Sequence, residues 1–460
     1  MIQKKRRTQL SGKGRLVKSA SSTSHGYPDG LKAGYEEGMR LGFDSFGKLF
    51  AGTSIIIPSY NQVDYLKQCI ESISENTSVP YEIIVVDNAS DDGTAKYLRT
   101  VGKNVRHRIL ESNRGFAGAV NIGMMMAKGT TMLLLNNDTI VTENWLSNML
   151  QCLDSDPRIG MVGPVTNYIS GDQRIDVPYT DVRDMPGFAR RFNVLDPGKW
   201  QRTDRLTGFC LLFRRELWER TGFLDEGYTI GNFEDDDFNI RVRLQGYSLV
   251  IARDTFIHHY GSVSMKELGG RFNEVNDHNL QFYIEKWGNP QELIHDVKER
   301  LHPRVEQTAG MPLPLQPQGE TAFFPQHVAV RGVGQTVYWI EKGKRRPIEG
   351  FSAIPVVRVS QADLRRWPVG EGISAEAVAD CWHVHPLPNE PFPDGMIVKV
   401  ADGRIYTMEE GKRRNLITPA AAEAWALHLK PEELVLSTEE IDLLPEGWPV
   451  IPPSRVAPQL

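Results

Sequence analysis

A few short polar clusters carry the side chains in this sequence that are equipped for chemistry. Pro58-Ser59-Tyr60-Asn61, Asp87-Asn88-Ala89-Ser90, Asn113-Arg114-Gly115 and Asn136-Asn137-Asp138 each follow an apolar or strand-like run. Glu234-Asp235-Asp236-Asp237 and His258-His259 come later in the chain. Asp138 is the lone acid of its cluster and suits a single divalent cation held against a diphosphate. Crowding of like charges over Glu234–Asp237 raises the pKa of at least one carboxyl, as a general base requires. Each cluster also has an ordinary reading. Asn, Asp, Ser and Gly are common turn residues, acids complement a helix N-terminus, and a His-His pair is often structural. Four turn-like motifs after four successive strands are poorly explained by loop composition.

The elements that must position these clusters are legible from periodicity. Ser54–Pro58, Tyr81–Asp87, Val105–Leu110 and Thr131–Leu135 read as strands. Between them Val63, Leu66, Ile70 and Ile73 fall on one helical face, and Asp91–Val101 and Gly115–Ala127 read as further helices; Trp145–Leu153 follows as another. Strand–helix alternation implies an α/β fold with a doubly wound, mainly parallel sheet and right-handed crossovers. In such sheets ligands bind outside the carboxyl ends of the strands, where the four motifs lie. No GxxxxGK[ST] loop exists, and GxGxxG is absent after the first strand. Gly332-Val333-Gly334 precedes strand residues, so it reads as a turn. A sugar nucleotidyltransferase would need a glycine- and basic-rich phosphate loop after the first strand; Pro58–Asn61 instead suits a flat base and ribose near Asp87.

Composition sets the outer bounds. The 460 residues include 53 Lys+Arg and 58 Asp+Glu, a formal charge of −5, which gives no footprint for nucleic acid. Cys69, Cys152, Cys210 and Cys381 lie far apart, excluding a zinc ribbon or disulfide scaffold and fitting a reducing compartment. No apolar run reaches the roughly 18 residues of a membrane span. The expectation is a cytoplasmic protein whose basic residues 1–26, a disordered tail, offer peripheral contact to the inner face of a membrane. Residues 27–52 read as a glycine-rich helical segment, with Gly30, Gly34, Gly38 and Gly42 in one stripe. The α/β domain spans 53–310 and a Pro-rich linker 311–319. A β-rich tandem module fills 320–460, with repeats near 324–368 and 392–445. Phe324–Ile348 matches Phe392–Leu416 without a gap, including the GKRRP and GKRRN turns. The linker implies that this module folds separately. Its basic turns either face solvent or grip an anionic glycan or acidic partner.

The ordered motifs SIIIPSYNQ, IIVVDNASDDGT, NRGFAGAVNIG, LLLNNDT, TGFCLLFRREL, FEDDDFNIRVRLQGY and HHYGSVS resemble family 2 glycosyltransferases of the GT-A fold, rhamnosyltransferase-like members in particular. The resemblance covers about Thr53–Ile284. It implies an inverting, metal-dependent enzyme that moves sugar from a UDP- or dTDP-sugar to a hydroxyl of a glycan or protein acceptor, as in bacterial surface-glycan synthesis, with Mn2+ or Mg2+ as cofactor. By the same resemblance Tyr60 and Asp87 hold base and ribose, and Asn113, Gly115 and Asn121 line that pocket. Asn137 and Asp138 stand in the DxD signature, with Asn136 where an Asp is common, leaving one carboxylate. Gly208 lies under the transferred sugar. Asp235 takes the place of the general base, and His259 completes the metal site with Asp138, with His258 one residue away as the competing ligand. A glycan- or envelope-binding protein on a non-catalytic GT-A scaffold is the alternative.

Overall fold

The computed structural model describes residues 47–102, 104–261, 270–301, 319–384, 392–430 and 433–460. The basic tail, the glycine stripe and residues 311–318 of the linker lie outside the described residues, as do Ser262–Ser264 of the last motif. Leu49–Leu460 form one compact unit.

β1 (Phe50–Ser59), β2 (Tyr81–Asp87), β3 (Val105–Ile109) and β4 (Gly129–Leu135) pair in the order β3-β2-β1-β4, all parallel. Helices Val63–Asn76, Thr94–Thr100 and Gly115–Met126 connect them. Ile56, Ile84, Val86, Met132 and Leu134 enter one core, whereas Ile55, Ile57, Ile83, Val85, Leu133 and Leu135 enter another. A sheet covered on both faces requires unbroken apolar strands, hence the triple Ile of β1 and triple Leu of β4. Each such side chain contributes about 1.5–3 kcal/mol on burial.

The second half of the sheet is mixed. β5 (Thr139–Ile140) is followed by β6 (Ile159–Val165), β7 (Trp200–Thr203), β8 (Cys210–Arg214), β9 (Ser248–Phe256) and β10 (His258–His259). The order continues β4-β8-β6-β9-β7, with β8 antiparallel to β4 and β6, and β7 antiparallel to β9. The sheet is thus mainly parallel with two reversed strands. Because β8 runs backward, its start, Cys210, faces Leu135 at the end of β4. Gly208 and Phe209 therefore reach the same edge as the carboxyl ends of the parallel strands. β5 and β10 form a separate ribbon that sets His259 opposite Thr139.

The tail repeats one topology. β11 (Val328–Arg331), β12 (Val337–Glu341), β13 (Lys344–Glu349), β14 (Val356–Arg358) and β15 (Ile373–Ser374) adopt the order β14-β11-β12-β13-β15. β16 (Ile397–Val400), β17 (Ile405–Glu409), β18 (Lys412–Asn415) and β19 (Glu433–Leu436) adopt β18-β17-β16-β19, and Leu416 bridges Val450 where β15 stands in the other copy. In both copies the second arginine of the GKRR turn pairs with a glutamate on the preceding strand: Arg346 with Glu341 at 2.6 Å, Arg414 with Glu409. The first arginine lies over a tyrosine, Arg345 over Tyr338 and Arg413 over Tyr406. Both arginines of each turn are thus engaged within their own repeat, while Lys344 and Lys412 are exposed.

Nor does the tail stand apart. Ile240, Leu244 and Trp287 of the α/β part share a core with Phe323, Phe324, Val328, Trp425 and Ile451. Arg241 is buried and meets Glu320 at 2.5 Å. The shared core runs against the separate folding that the linker implies, because a linker says nothing of what the apolar faces on either side pack against. Glu320→Ala strands Arg241 without that partner and should lower the unfolding free energy by about 3 kcal/mol, with both parts unfolding in one transition. Two separate urea transitions, or a loss under about 1 kcal/mol, would show that the parts are energetically independent.

Candidate active site

The edge where the four strands end is a polar shelf. Ser59 is in register with Asp87, and Asp87 with Ile109. Asp87 is fully buried; its Oδ1 accepts from the Ser90 N–H at 3.1 Å, and its Oδ2 has no hydrogen-bond partner among the described residues. Tyr60 stands at the rim, 40% exposed. Asn61 has φ 55°, and its Oδ1 accepts from the Asp91 N–H at 3.0 Å, tying the first motif to the second. Asn88 ties the second to the third: its Nδ2 donates to Asn113 Oδ1 (2.9 Å) and Gly115 O (3.0 Å), and its Oδ1 accepts from Arg114 N (2.8 Å). Sequence reasoning quoted Asn88 without giving it this role, although its amide is the only such group in the second motif. Asn137 donates to Ser59 Oγ at 3.3 Å, closing the shelf on the β4 side.

Asn121 is a correction. It is fully buried, with Nδ2 donating to Leu224 O (2.9 Å) and Glu226 Oε1 (3.0 Å) and Oδ1 accepting from Leu224 N (2.9 Å). Its amide serves the loop Leu224–Glu226 at both ends, so it braces the pocket wall from behind instead of lining it.

The β5–β10 ribbon builds the second corner. His259 Nδ1 lies 2.8 Å from the Tyr168 carbonyl, which only accepts, so Nδ1 carries the proton. In the neutral ring Nε2 is then an acceptor; it is buried, 3.2 Å from Asp138 Oδ1 and without a hydrogen bond among the described residues. Two acceptors facing each other repel unless a proton or a cation lies between them. The pair fits a divalent cation that has further coordination places for a ligand. Asn167 fixes the backbone of His259 reciprocally, donating to His259 O and accepting from His259 N. His258 points the other way, as alternate strand residues must. Its Nδ1 meets the Tyr179 hydroxyl at 2.8 Å, and burial, with the charge of His259, lowers its pKa to about 4.

The acidic run forms the first turn of helix Glu234–Leu244, and its four carboxyls meet different surroundings. Asp236 pairs with Arg205 at 2.5 Å. Asp237 is fully buried; burial pushes its pKa up, but Lys286 and Arg241 outweigh this and hold it below the usual range. Asp235 Oδ2 accepts from the Gly208 N–H at 2.7 Å. Burial first, then the neighbouring Asp236, raise its pKa to about 6 against the pull of Arg205. Burial and the charge of Asp235 hold Glu234 well above the usual carboxylate range. A Cβ at Gly208 would come within 3.3 Å of Asp235, so only glycine allows this approach without displacement. Phe209 completes the link: its ring stacks on His259 (centroids 5.4 Å, 16°) and its carbonyl accepts from Asn136 N.

Residues 54–221 match the model of the family described as Glycosyl transferase family 2. The match ends before the acidic run and the His-His pair, so Asp235 and His259 lie beyond the matched residues. An uncharacterized protein of Sinorhizobium fredii is 30% identical over 228 residues, 46% of this chain and 24% of its own length. The PGL/p-HBAD biosynthesis glycosyltransferase of Mycobacterium tuberculosis is 28% identical over 236 residues, 49% of this chain and 80% of its own. The chain spans less than half the length of the first curated relatives it matches. Among solved structures, GalNAc-T7 with UDP, GalNAc and Mn2+ is 16% identical with a TM-score of 0.41, covering 55% of this chain and 52% of that one.

Glu234 and Asp235, raised by their surroundings, should be separable by titration from Asp237, which is lowered. A carboxyl-carbon NMR titration should place Asp235 near pH 6, deprotonated above and protonated below. In Arg205→Met the midpoint should rise, since the nearby cation that favours the charged form is gone. A midpoint below 5 in the parent protein would contradict the environment described.

Proposed function

We propose that this chain transfers a sugar from a nucleoside diphosphate donor to a hydroxyl acceptor, inverting the anomeric configuration. One observation carries the reading. The high-pKa carboxyl and the Asp138–His259 pair are attached to adjacent residues of one segment, Asp235 to the Gly208 N–H and His259 to the Phe209 ring. A proton acceptor and a candidate cation site thus share one support, at the edge where the family 2 domain presents its shelf.

Tyr60, Asp87, Asn113 and Gly115 are the groups we assign to base and ribose, with Asn137 beside Asp138 on the diphosphate side. Asp138 and His259 would hold Mn2+ or Mg2+, which when bound neutralises charge on the leaving diphosphate. Asp235 takes the proton of the acceptor hydroxyl as its oxygen bonds to the anomeric carbon and the bond to the diphosphate oxygen breaks. Attack opposite the leaving group inverts the centre. The surroundings of Glu234 favour its neutral form, which limits negative charge beside the base. UDP- and dTDP-sugars, rhamnosyl donors among them, are the donors the motif order supports, and a bacterial surface glycan or glycoprotein is the acceptor class. No described helix is long and apolar enough to cross a membrane.

A screen of nucleotide sugars for release of nucleoside diphosphate tests this. With the active donor, Asp235→Asn should lose about 10²–10⁴-fold in transfer while nucleotide affinity stays within a few-fold. Asp138→Asn should lose about 10²-fold or more of the Mn2+- or Mg2+-dependent rate. Turnover should decline as pH falls through about 6, because the base must be deprotonated. Pyrophosphate release would indicate a nucleotidyltransferase, and full activity in EDTA would remove the cation. Binding of glycan without turnover of any donor would leave a scaffold.

A further inference from the structure

The bend that precedes the acidic helix is held in a conformation its own residues disfavour. Ile230, Asn232 and Phe233 have φ of 64°, 82° and 74°, while Gly231 among them does not take a positive φ. A β-branched residue in this region is an outlier, so the hold must come from elsewhere in the fold. It comes from Asn279, fully buried on helix Arg271–Trp287. Its Oδ1 accepts from Thr229 N (3.0 Å) and Thr229 Oγ1 (3.2 Å). Its Nδ2 donates to the carbonyls of Thr229 (3.0 Å), Gly231 (2.8 Å) and Asn232 (3.2 Å). One amide thus contacts the backbone of three residues in the bend.

The bend faces both halves of the site. On the nucleotide side, Ile230 O accepts from Phe116 N at 2.7 Å, and a Cβ at Gly115 would lie 3.2 Å from Ile230 N. On the other side, Phe233 is the N-cap of the helix whose first turn carries Glu234 and Asp235. We propose that Asn279 is a positioning residue: by clamping Thr229–Asn232 it fixes where Asp235 stands relative to the Asn113–Gly115 wall. This rests on the reading of Asp235 as the base.

Asn279→Asp tests the clamp, since it keeps the size and the acceptor oxygen but sets a second oxygen against three carbonyls. Asn279→Ala removes both halves and is the second variant should the first fail to fold. Deuterium exchange over 229–237 should accelerate at least about tenfold, while β1–β4 keep parental protection. The turnover number should fall between about 10- and 100-fold, with the acceptor KM within about threefold, as a misaimed base produces. Parental exchange over 229–237 in both variants overturns the clamp. Faster exchange with parental turnover overturns the positioning role. A parent protein that turns over no donor defeats the proposed function instead, and the clamp is then judged on exchange alone.

Discussion

The helix Glu234–Leu244 imposes the constraint on which the rest of the molecule depends. All of its residues except Asp236 are buried, yet it carries six ionisable side chains. A buried charge must be paired or neutralised. Pairing is achieved by a line of alternating sign: Asp225 to Lys286 (2.6 Å), Lys286 to Asp237 (2.5 Å), Asp237 to Arg241 (3.4 Å), Arg241 to Glu320 (2.5 Å), Glu320 to Arg366 (3.5 Å) and Arg366 to Asp363 (2.7 Å). The last three members belong to the tail. The repeat module is therefore part of what allows this helix to be buried, and not an appendage to it.

At the other end of the helix the pairing runs out. Among the described residues Glu234 and Asp235 meet no direct cation partner, and burial, with the neighbouring acids, raises their pKa values. The helix thus separates two uses of the same residue type. Asp236 and Asp237 are held by cations and serve the architecture, whereas Glu234 and Asp235 remain inclined to take up a proton. That inclination is what acid–base chemistry requires of a carboxyl near neutral pH.

The legible parts of the sequence were those set by local rules. A strand buried on both faces must be continuously apolar, so β1 and β4 were visible, and turns at their ends carried the polar motifs. β6 to β9 escaped because their connections are long and two of the strands reverse. Which of four consecutive acids faces the site depended on Arg205, Arg241 and Lys286, none adjacent in sequence to the residue it pairs. Asn121 was misplaced for the same reason, since its partners at Leu224 and Glu226 lie far along the chain. That His259 and not His258 turns toward Asp138 follows from strand alternation and the Tyr168 carbonyl, and the carbonyl carries no sequence signal. The partners of Asn279, Thr229 to Asn232, lie about fifty residues away, so its role has no local signal.

The return of Ala457 and Leu460 into the core that holds Ala117, Val120 and Leu224 has a consequence for synthesis. Residues of the first strands and helices leave the ribosome long before the segment that completes their packing is made. Until then the nascent α/β layer carries an uncovered apolar face, and closure waits on contacts of very high sequence separation. Such a chain completes its α/β core only once that late segment has emerged, with chaperone contact favoured during the interval, rather than piece by piece from its leading end.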